Sequence, residues 1–267
     1  MFIEYLEKLR SGGKRYFTSQ EIMQALNLSY GAARAGLSRL KRDAKLISPV
    51  NGLYVIVPPK HKSYGSIPAE ELIPIMMKYL DAEYYVSLLS AAGFYGALHQ
   101  KPMVFQVVTN RRIKHSLKFG QVYIKLIHKK SLTDLPIKDF IVSTGYLKVA
   151  TPELIAIDLL KFPKHAGGMN NIATILSELI ESIDVHKLIE LAENMGEHYQ
   201  LQRLGYIIEK IDVMDDDIKK TTIDALTEYV SSRMKPYTPL ASNISRIGYP
   251  RCRKWKIIEN TDFESEL

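Results

Sequence analysis

Tyr30, Arg34 and Ser38 recur at every fourth residue and so share one face of any helix that carries them. A phenol, a guanidinium and a hydroxyl in that row can meet base edges when a helix enters the major groove, which is about 12 Å wide. Arg39, Lys41 and Arg42 add positive charge beside them and suit phosphate oxygens. Lys14, Arg15 and Asn51 are further candidates for contacts with a nucleic-acid backbone.

Outside this segment, residue patterns that could do chemistry are sparse. Arg111-Arg112 follow a strand-like run and could clamp phosphates or acidic side chains through charge-assisted bonds. Arg251, Arg253 and Lys254 form a second candidate set for phosphate or partner contact, with the thiol of Cys252 among them. No histidine partner for that thiol is identifiable. Asp215-Asp216-Asp217 offers oxygen ligands, yet three acids ahead of a helical stretch more simply form a charged helix start. His61, His99, His115, His128, His165, His186 and His198 have no metal-ligand spacing. Glu153 and Asp158 would lie about 140° apart around a helix and do not converge. The sequence holds no HExxH, Walker loop, dinucleotide GxGxxG or GxSxG elbow. The expectation is a protein that is not an enzyme, with no catalytic residues, no metal and no cofactor.

The elements that must carry the basic row are legible over residues 1–60. Phe2, Ile3, Leu6 and Leu9 fall at helical spacing, and Gly12-Gly13 should end that helix. Thr18 with Glu21 forms a capping box for a second helix, whose Ile22, Ala25 and Leu26 should face inward. Asn27-Leu28 is a short turn, and Ser29 caps a third helix from Tyr30 to about Arg42. There Ala33, Leu37 and Leu40 make the buried stripe, while Gly31 and Gly36 admit close approach of another surface. Leu46-Ile47 and Leu53 to Val57 are strands joined at Asn51-Gly52, a favoured hairpin turn. Helix, helix, turn, basic helix, hairpin is the order of a winged helix-turn-helix, which predicts a DNA-binding domain over 1–60.

Charge agrees with that placement. The net charge is +7, and residues 1–62 hold 11 Lys+Arg against 4 Asp+Glu, so the remainder balances to zero. From Tyr84 to Thr133 there is no acid but eight bases, Lys114 among them, and from Glu178 to Glu228 there are 13 acids against five bases. A basic first part suits a polyanion, and a banded neutral remainder suits a different partner. With 46% apolar residues the chain can fill compact cores. One cysteine excludes an intrachain disulfide and predicts a reducing, cytoplasmic setting. The N-terminus is charged and glycine-broken where an export leader would be apolar. The longest weakly polar run, Tyr84 to Leu98, is 15 residues, short of the roughly 20 needed to span a bilayer, so no membrane partner is expected.

Beyond a linker at 58–66, the pattern predicts helices from Pro68 or Ala69 to Tyr79 and from about Tyr84 to Leu98. Strands follow at Val104–Val108 and Val122–Ile127, with a third extended stretch at Phe140–Val142 or Tyr146–Val149. Thr151, with Pro152 at the first helical position, starts a largely buried helix. Helices at about 170–182, 184–195, 198–211 and 215–233 complete a helical region, and Trp255 to Ile258 is a last strand. The expected class is α+β: a winged helix-turn-helix over 1–60, then a domain over 67–267 that is mixed α/β to 160, helical over 161–235, and closed by a tail strand near 254–258.

In this order the chain resembles the AbiEi-type antitoxins, the antitoxin and autorepressor half of bacterial abortive-infection (type IV) toxin–antitoxin pairs. The resemblance rests on Gly52 to Pro59, on Tyr84-Val86-Ser87-Ser90-Ala91-Tyr95-Gly96-Leu98, and on Val107 to Arg112. Ala150 to Glu153 with Asp158-Leu159, Gly167-Gly168, Arg203 to Tyr206 and Trp255 to Ile257 also carry it. It implies autorepression through promoter inverted repeats in double-stranded DNA. It also implies a C-terminal domain that counters a separately encoded nucleotidyltransferase-like toxin without necessarily forming a stable complex. A stand-alone winged-helix regulator with a ligand-sensing or oligomerising C-terminal domain is the alternative, and a DNA-processing enzyme is disfavoured by the missing carboxylate motif.

Overall fold

Apolar spacing and caps set the first elements. In the computed structural model, which describes residues 1–98, 100–112 and 116–264, they are α1 (Phe2–Ser11), β1 (Tyr16–Thr18), α2 (Ser19–Leu26), α3 (Tyr30–Arg42), β2 (Leu46–Ile47) and β3 (Leu53–Ile56). His99, Lys114 and His115, named above, lie outside the described residues. The capping box at α2 is present: Glu21 N–H donates to Thr18 Oγ1 at 3.2 Å, and Thr18 N–H donates to Glu21 Oε2 at 2.6 Å. Such caps stabilise a helix start by about 1 kcal/mol. Leu6, Phe17, Ile22, Leu37, Leu40, Leu46 and Ile56 form one core beneath these elements. Two local expectations fail. Ala25 is exposed rather than inward-facing, and the sheet has a third strand, β1, in the order β1-β3-β2. Three residues between two helices carry too short a pattern to announce a strand, and β1 is recognisable only by its pairing of Phe17 with Tyr54.

Residues 58–66, expected as a linker, instead fold as a 3-10 helix over Pro59–Tyr64. Tyr64 C=O accepts from Gln121 N–H at 2.9 Å, and Gly120 passes so close that no side chain would fit there. After α4 (Ala69–Leu80) comes β4 (Tyr84–Val86), then α5 (Leu88–Ala92) and a 3-10 turn at Gly93–Tyr95. The helix expected from Tyr84 is therefore a correction: Tyr84, Tyr85 and Val86 are all buried, and aromatic and β-branched residues suit a central strand.

β5 (Val104–Thr109), β6 (Leu117–Phe119), β7 (Val122–His128), β8 (Ile137–Val142) and β9 (Gly145–Ala150) complete a six-stranded sheet in the order β6-β7-β5-β4-β9-β8. β5 and β7 pair in parallel from Val104–Tyr123 to Thr109–His128, and β6 joins β7 antiparallel. Both alternatives for the third extended stretch are strands, falling in β8 and β9.

The helices that follow are α6 (Pro152–Lys161), α7 (Met169–Leu179) with a 3-10 extension to Ser182, α8 (Val185–Met195), α9 (His198–Lys210) and α10 (Asp216–Arg233). β10 (Thr238–Pro239), β11 (Arg251–Cys252) and β12 (Ile257–Ile258) form a small sheet in the order β10-β12-β11, so the expected tail strand is shorter than 254–258 and is paired on both sides. The architecture is mixed α+β. The chain divides into two compact units: Met1–Tyr85 with Met103–Leu132 and Asp139–Lys148, and Val86–Pro102 with Thr133–Lys138 and Val149–Leu267. In the second unit α6 is buried along almost its whole length, the hallmark of a central helix. No helix among the described residues is long and apolar enough to cross a membrane.

Candidate nucleic-acid interface

Helix α3 is capped at its start by Ser29, whose Oγ accepts from Ala32 N–H at 3.3 Å, two residues after Asn27 ends α2 in the left-handed conformation at φ 48°. Its inward face holds Ala33, Gly36, Leu37 and Leu40. The period of the helix then places Tyr30, Arg34, Ser38 and Lys41 on the outer face, where all four are exposed and Tyr30 is 69% so. They line a polar groove of about 630 Å³, completed by Ser19 and Met23 of α2, by Ser48, Asn51, Gly52 and Tyr54 of the hairpin, and by Tyr79 of α4.

The hairpin turn borders this groove. Leu53 N–H donates to Val50 C=O at 3.2 Å, and Gly52 alone of the two central residues takes positive φ, at 82°. That is the glycine position of a type II turn rather than the doubly positive pattern of the commonest two-residue hairpins. Ser19 N–H donates to Gly52 C=O at 2.9 Å, and the Tyr79 hydroxyl donates to Asn51 C=O at 3.0 Å.

Charge on this face is uncompensated. Among the described residues no ion pair engages Arg34, Arg39, Lys41 or Arg42. Arg39 and Arg42 are exposed on α3 outside the groove lining. Burial pushes the Tyr54 phenol above its ordinary pKa, with Tyr30 and Tyr79 adding to the shift and Arg34 opposing it. The phenol therefore stays neutral, as a donor, at any physiological pH.

Lys14 and Arg15 are placed differently. Lys14 Nζ pairs with Glu21 at 2.5 Å and Arg15 lies 3.7 Å from Glu71, and both line a separate pocket with Ser143 and Thr144. The structure thus gathers Tyr30, Arg34, Ser38, Lys41 and Asn51 and leaves Lys14 and Arg15 apart. Tyr54 could have been found from the sequence, since strand alternation turns it away from its buried neighbours Leu53 and Val55. Nothing local in the sequence points to Tyr79, which lies 28 residues beyond Asn51 on α4.

The other candidate cations are partly engaged. Arg111 donates from its guanidinium to Leu80 C=O at 2.6 Å, closing the C-terminal turn of α4, where a cation is favoured. Arg112 and Arg253 are exposed. Arg251 stacks over the Tyr237 ring at 5.3 Å, and Lys254 pairs with Glu209 and lies over the Trp255 ring. Asp215 caps α10, accepting from Asp217 and Ile218 N–H at 2.9 and 3.0 Å, so the acidic triplet begins a helix. Among the described residues no three His, Cys, Asp or Glu side chains converge as metal ligands would.

In the second unit the buried acids of α6 serve structure. Asp158 is fully buried and accepts from Ser87 Oγ at 2.8 Å, fastening the segment after β4 to α6. Glu153, also buried, accepts from Asp184 N–H at 3.1 Å, while Asp184 in turn caps α8. Thr151 begins α6 with no side-chain cap, its Oγ1 buried and without a hydrogen-bond partner.

No curated protein matches this sequence. The crystal structure of the RV2827C protein from Mycobacterium tuberculosis is similar, with a TM-score of 0.65 over 95% of this chain and 89% of that one at 16% identity, which shows a shared fold. Residues 85–210 match the family described as the AbiEi antitoxin C-terminal domain. That span runs from the central strand β4 through the buried helix α6 to the end of α9. Residues 85–210 thus resemble an AbiEi antitoxin C-terminal domain, which supports a place for this chain among the AbiEi-type antitoxins.

Proposed function

We propose that this protein is the antitoxin of a toxin–antitoxin pair and the repressor of its own operon. Residues 1–60 act as a winged helix-turn-helix on inverted repeats of promoter DNA, and residues 67–267 counter a nucleotidyltransferase-like toxin without requiring a stable complex. The observation that carries the DNA reading is the row Tyr30, Arg34, Ser38 and Lys41, exposed on one face of α3 beside a hairpin. A helix presenting such a row can insert into the major groove while the hairpin lies along adjacent backbone or minor groove.

Each side chain takes a role from its chemistry. Arg34 reads a base by two parallel hydrogen bonds, Tyr30 and Ser38 flank it, and Lys41, Arg39 and Arg42 neutralise phosphates. Asn51 meets the backbone from the hairpin. Lys14 and Arg15 contribute outside the groove if their carboxylate partners yield to phosphate. Arg111, Arg112, Arg251, Arg253 and Lys254 are the remaining cations suited to phosphate or partner contact. The antitoxin reading is supported by the family of residues 85–210.

A reporter placed behind the DNA upstream of the gene tests the first half: full-length protein should repress it, and Arg34→Ala should relieve repression at equal protein level. Co-expression with the neighbouring toxin gene tests the second: the full chain should restore growth. A reporter indifferent to the protein, or growth that it does not restore, would contradict the corresponding half.

A further inference from the structure

We infer that Tyr79, on a helix outside the helix-turn-helix, is a positioning residue for the wing of the DNA interface. The inference rests on the DNA-binding reading above and assigns a determinant of specificity that lies beyond residue 60.

The hairpin turn is held from outside at both of its central carbonyls. Gly52 C=O accepts from Ser19 N–H at 2.9 Å, which ties it to the start of α2. Asn51 C=O accepts from the Tyr79 hydroxyl at 3.0 Å, which ties it to the end of α4. The same hydroxyl lies 2.6 Å from where a Cβ at Gly52 would stand, so the turn is in steric as well as hydrogen-bonded contact with the phenol. The next residue, Leu80, has its carbonyl held by Arg111 at 2.6 Å, so the helix end that carries Tyr79 is itself fixed. Tyr79 remains 40% exposed and lines the groove with Arg34 and Ser38, so it acts at the contact surface rather than in the core.

A hairpin tip fluctuates unless its free carbonyls are engaged, and an ordered tip loses less entropy on meeting DNA. Pinning Asn51 C=O holds the backbone that carries Asn51 in one place relative to Arg34. Wing contacts and base contacts then form in a fixed register.

Full-length protein and Tyr79→Phe, which removes only the hydroxyl, would be titrated on the DNA upstream of the gene and on scrambled duplex, with hydroxyl-radical footprints of each complex. The loss of one hydrogen bond should lower affinity for the upstream DNA about five- to tenfold. Affinity for scrambled duplex and the thermal midpoint should stay at their wild-type values. The footprint should lose protection under the wing and keep it under α3. Wild-type affinity and footprint in Tyr79→Phe, or equal losses on both duplexes, would overturn the inference alone. Failure of the wild-type protein to prefer upstream DNA would instead overturn the DNA-binding reading and this inference with it.

Discussion

Gly205, midway along α9, packs against the indole of Trp255: a methyl group at Gly205 would overlap Cζ3 of the ring. Trp255 is fully buried, and its Nε1–H donates to Glu209 Oε2 at 2.6 Å, one turn further along the same helix. One turn earlier, Gln202 Nε2 donates to Trp255 C=O at 3.3 Å, and Tyr206 donates its hydroxyl proton to Glu259 at 2.6 Å. Residues 202, 205, 206 and 209 are one helical face, and that face receives the tail strand. Two sequence segments that carry the family resemblance, 203–206 and 255–257, are the two sides of this one contact.

Replacing Gly205 with Ala should therefore overpack the site. Inserting a methyl into a filled interior costs about 1–3 kcal/mol, against which the gain in helix propensity is smaller. Trp255 is the sole tryptophan, so its fluorescence during urea unfolding reads the second unit directly. A midpoint equal to wild type would show that the ring has room to move.

Acid should weaken the same contact through Glu209. Burial raises its pKa, but bonds from Lys254 and Trp255 outweigh burial and hold the carboxyl below its ordinary value of 4.5. A carboxylate depressed in the folded state contributes stability that is fully present above the unfolded pKa and lost as pH falls through the folded one. Urea midpoints followed by Trp255 fluorescence should be flat near neutrality and fall below about pH 4.5, the unfolded value. Glu209→Gln should shallow that fall, and an unchanged acid limb would exclude Glu209 as a contributor.

Gly31 and Gly36 should separate binding from stability. Both were expected to admit another surface, and for Gly36 that surface is internal: the Phe2 ring of α1 occupies the space a methyl would need. Gly31 has no atom within 4 Å of its Cβ position. Gly36→Ala should lower stability by about 1–2 kcal/mol, moderated because a ring near the chain end can shift. Gly31→Ala should keep or raise stability, since Ala favours a helix over Gly by about 0.5–1 kcal/mol, while weakening binding to upstream DNA. Thermal midpoints and binding titrations on the two variants check the split; a Gly31→Ala protein that binds like wild type would place the first turn of α3 away from DNA.

What the sequence made legible follows the range of the interaction behind each signal. The capping box of Thr18 and Glu21, the cap at Ser29 and the Ala33, Leu37, Leu40 stripe are local, and each stands as read. β1 and β4 were missed because three-residue strands are defined by the partners they find, Leu53 to Val55 for β1 and Val149 for β4. Residues 58–66 have the composition of a linker, yet their order comes from the distant turn at Gly120. In the candidate site, the α3 row was visible from its period, whereas Tyr79 and the ion pairs that occupy Lys14 and Arg15 depend on contacts no local pattern encodes.

Arg34 and Lys41 should fail in different ways. A bidentate base contact is worth about 1–3 kcal/mol at its own base pair, so Arg34→Ala should lose that much on upstream DNA and relax preference at one position. Lys41→Ala should weaken upstream and scrambled DNA alike and reduce the salt slope by about one counterion. A folded Arg34→Ala variant that binds upstream DNA as wild type does would remove α3 from the base-reading role.

If the face of α3 beside the hairpin reads a DNA sequence, a salt-resolved titration of full-length protein must show it. The DNA upstream of the gene would be compared with scrambled duplex of equal length across a range of salt. A sequence-reading α3 requires a preference of roughly 10³-fold or more, with affinity for both duplexes falling steeply as salt rises. Equal affinity for the two duplexes, or no binding at low salt, would contradict it and leave the groove as a surface for contacts with protein.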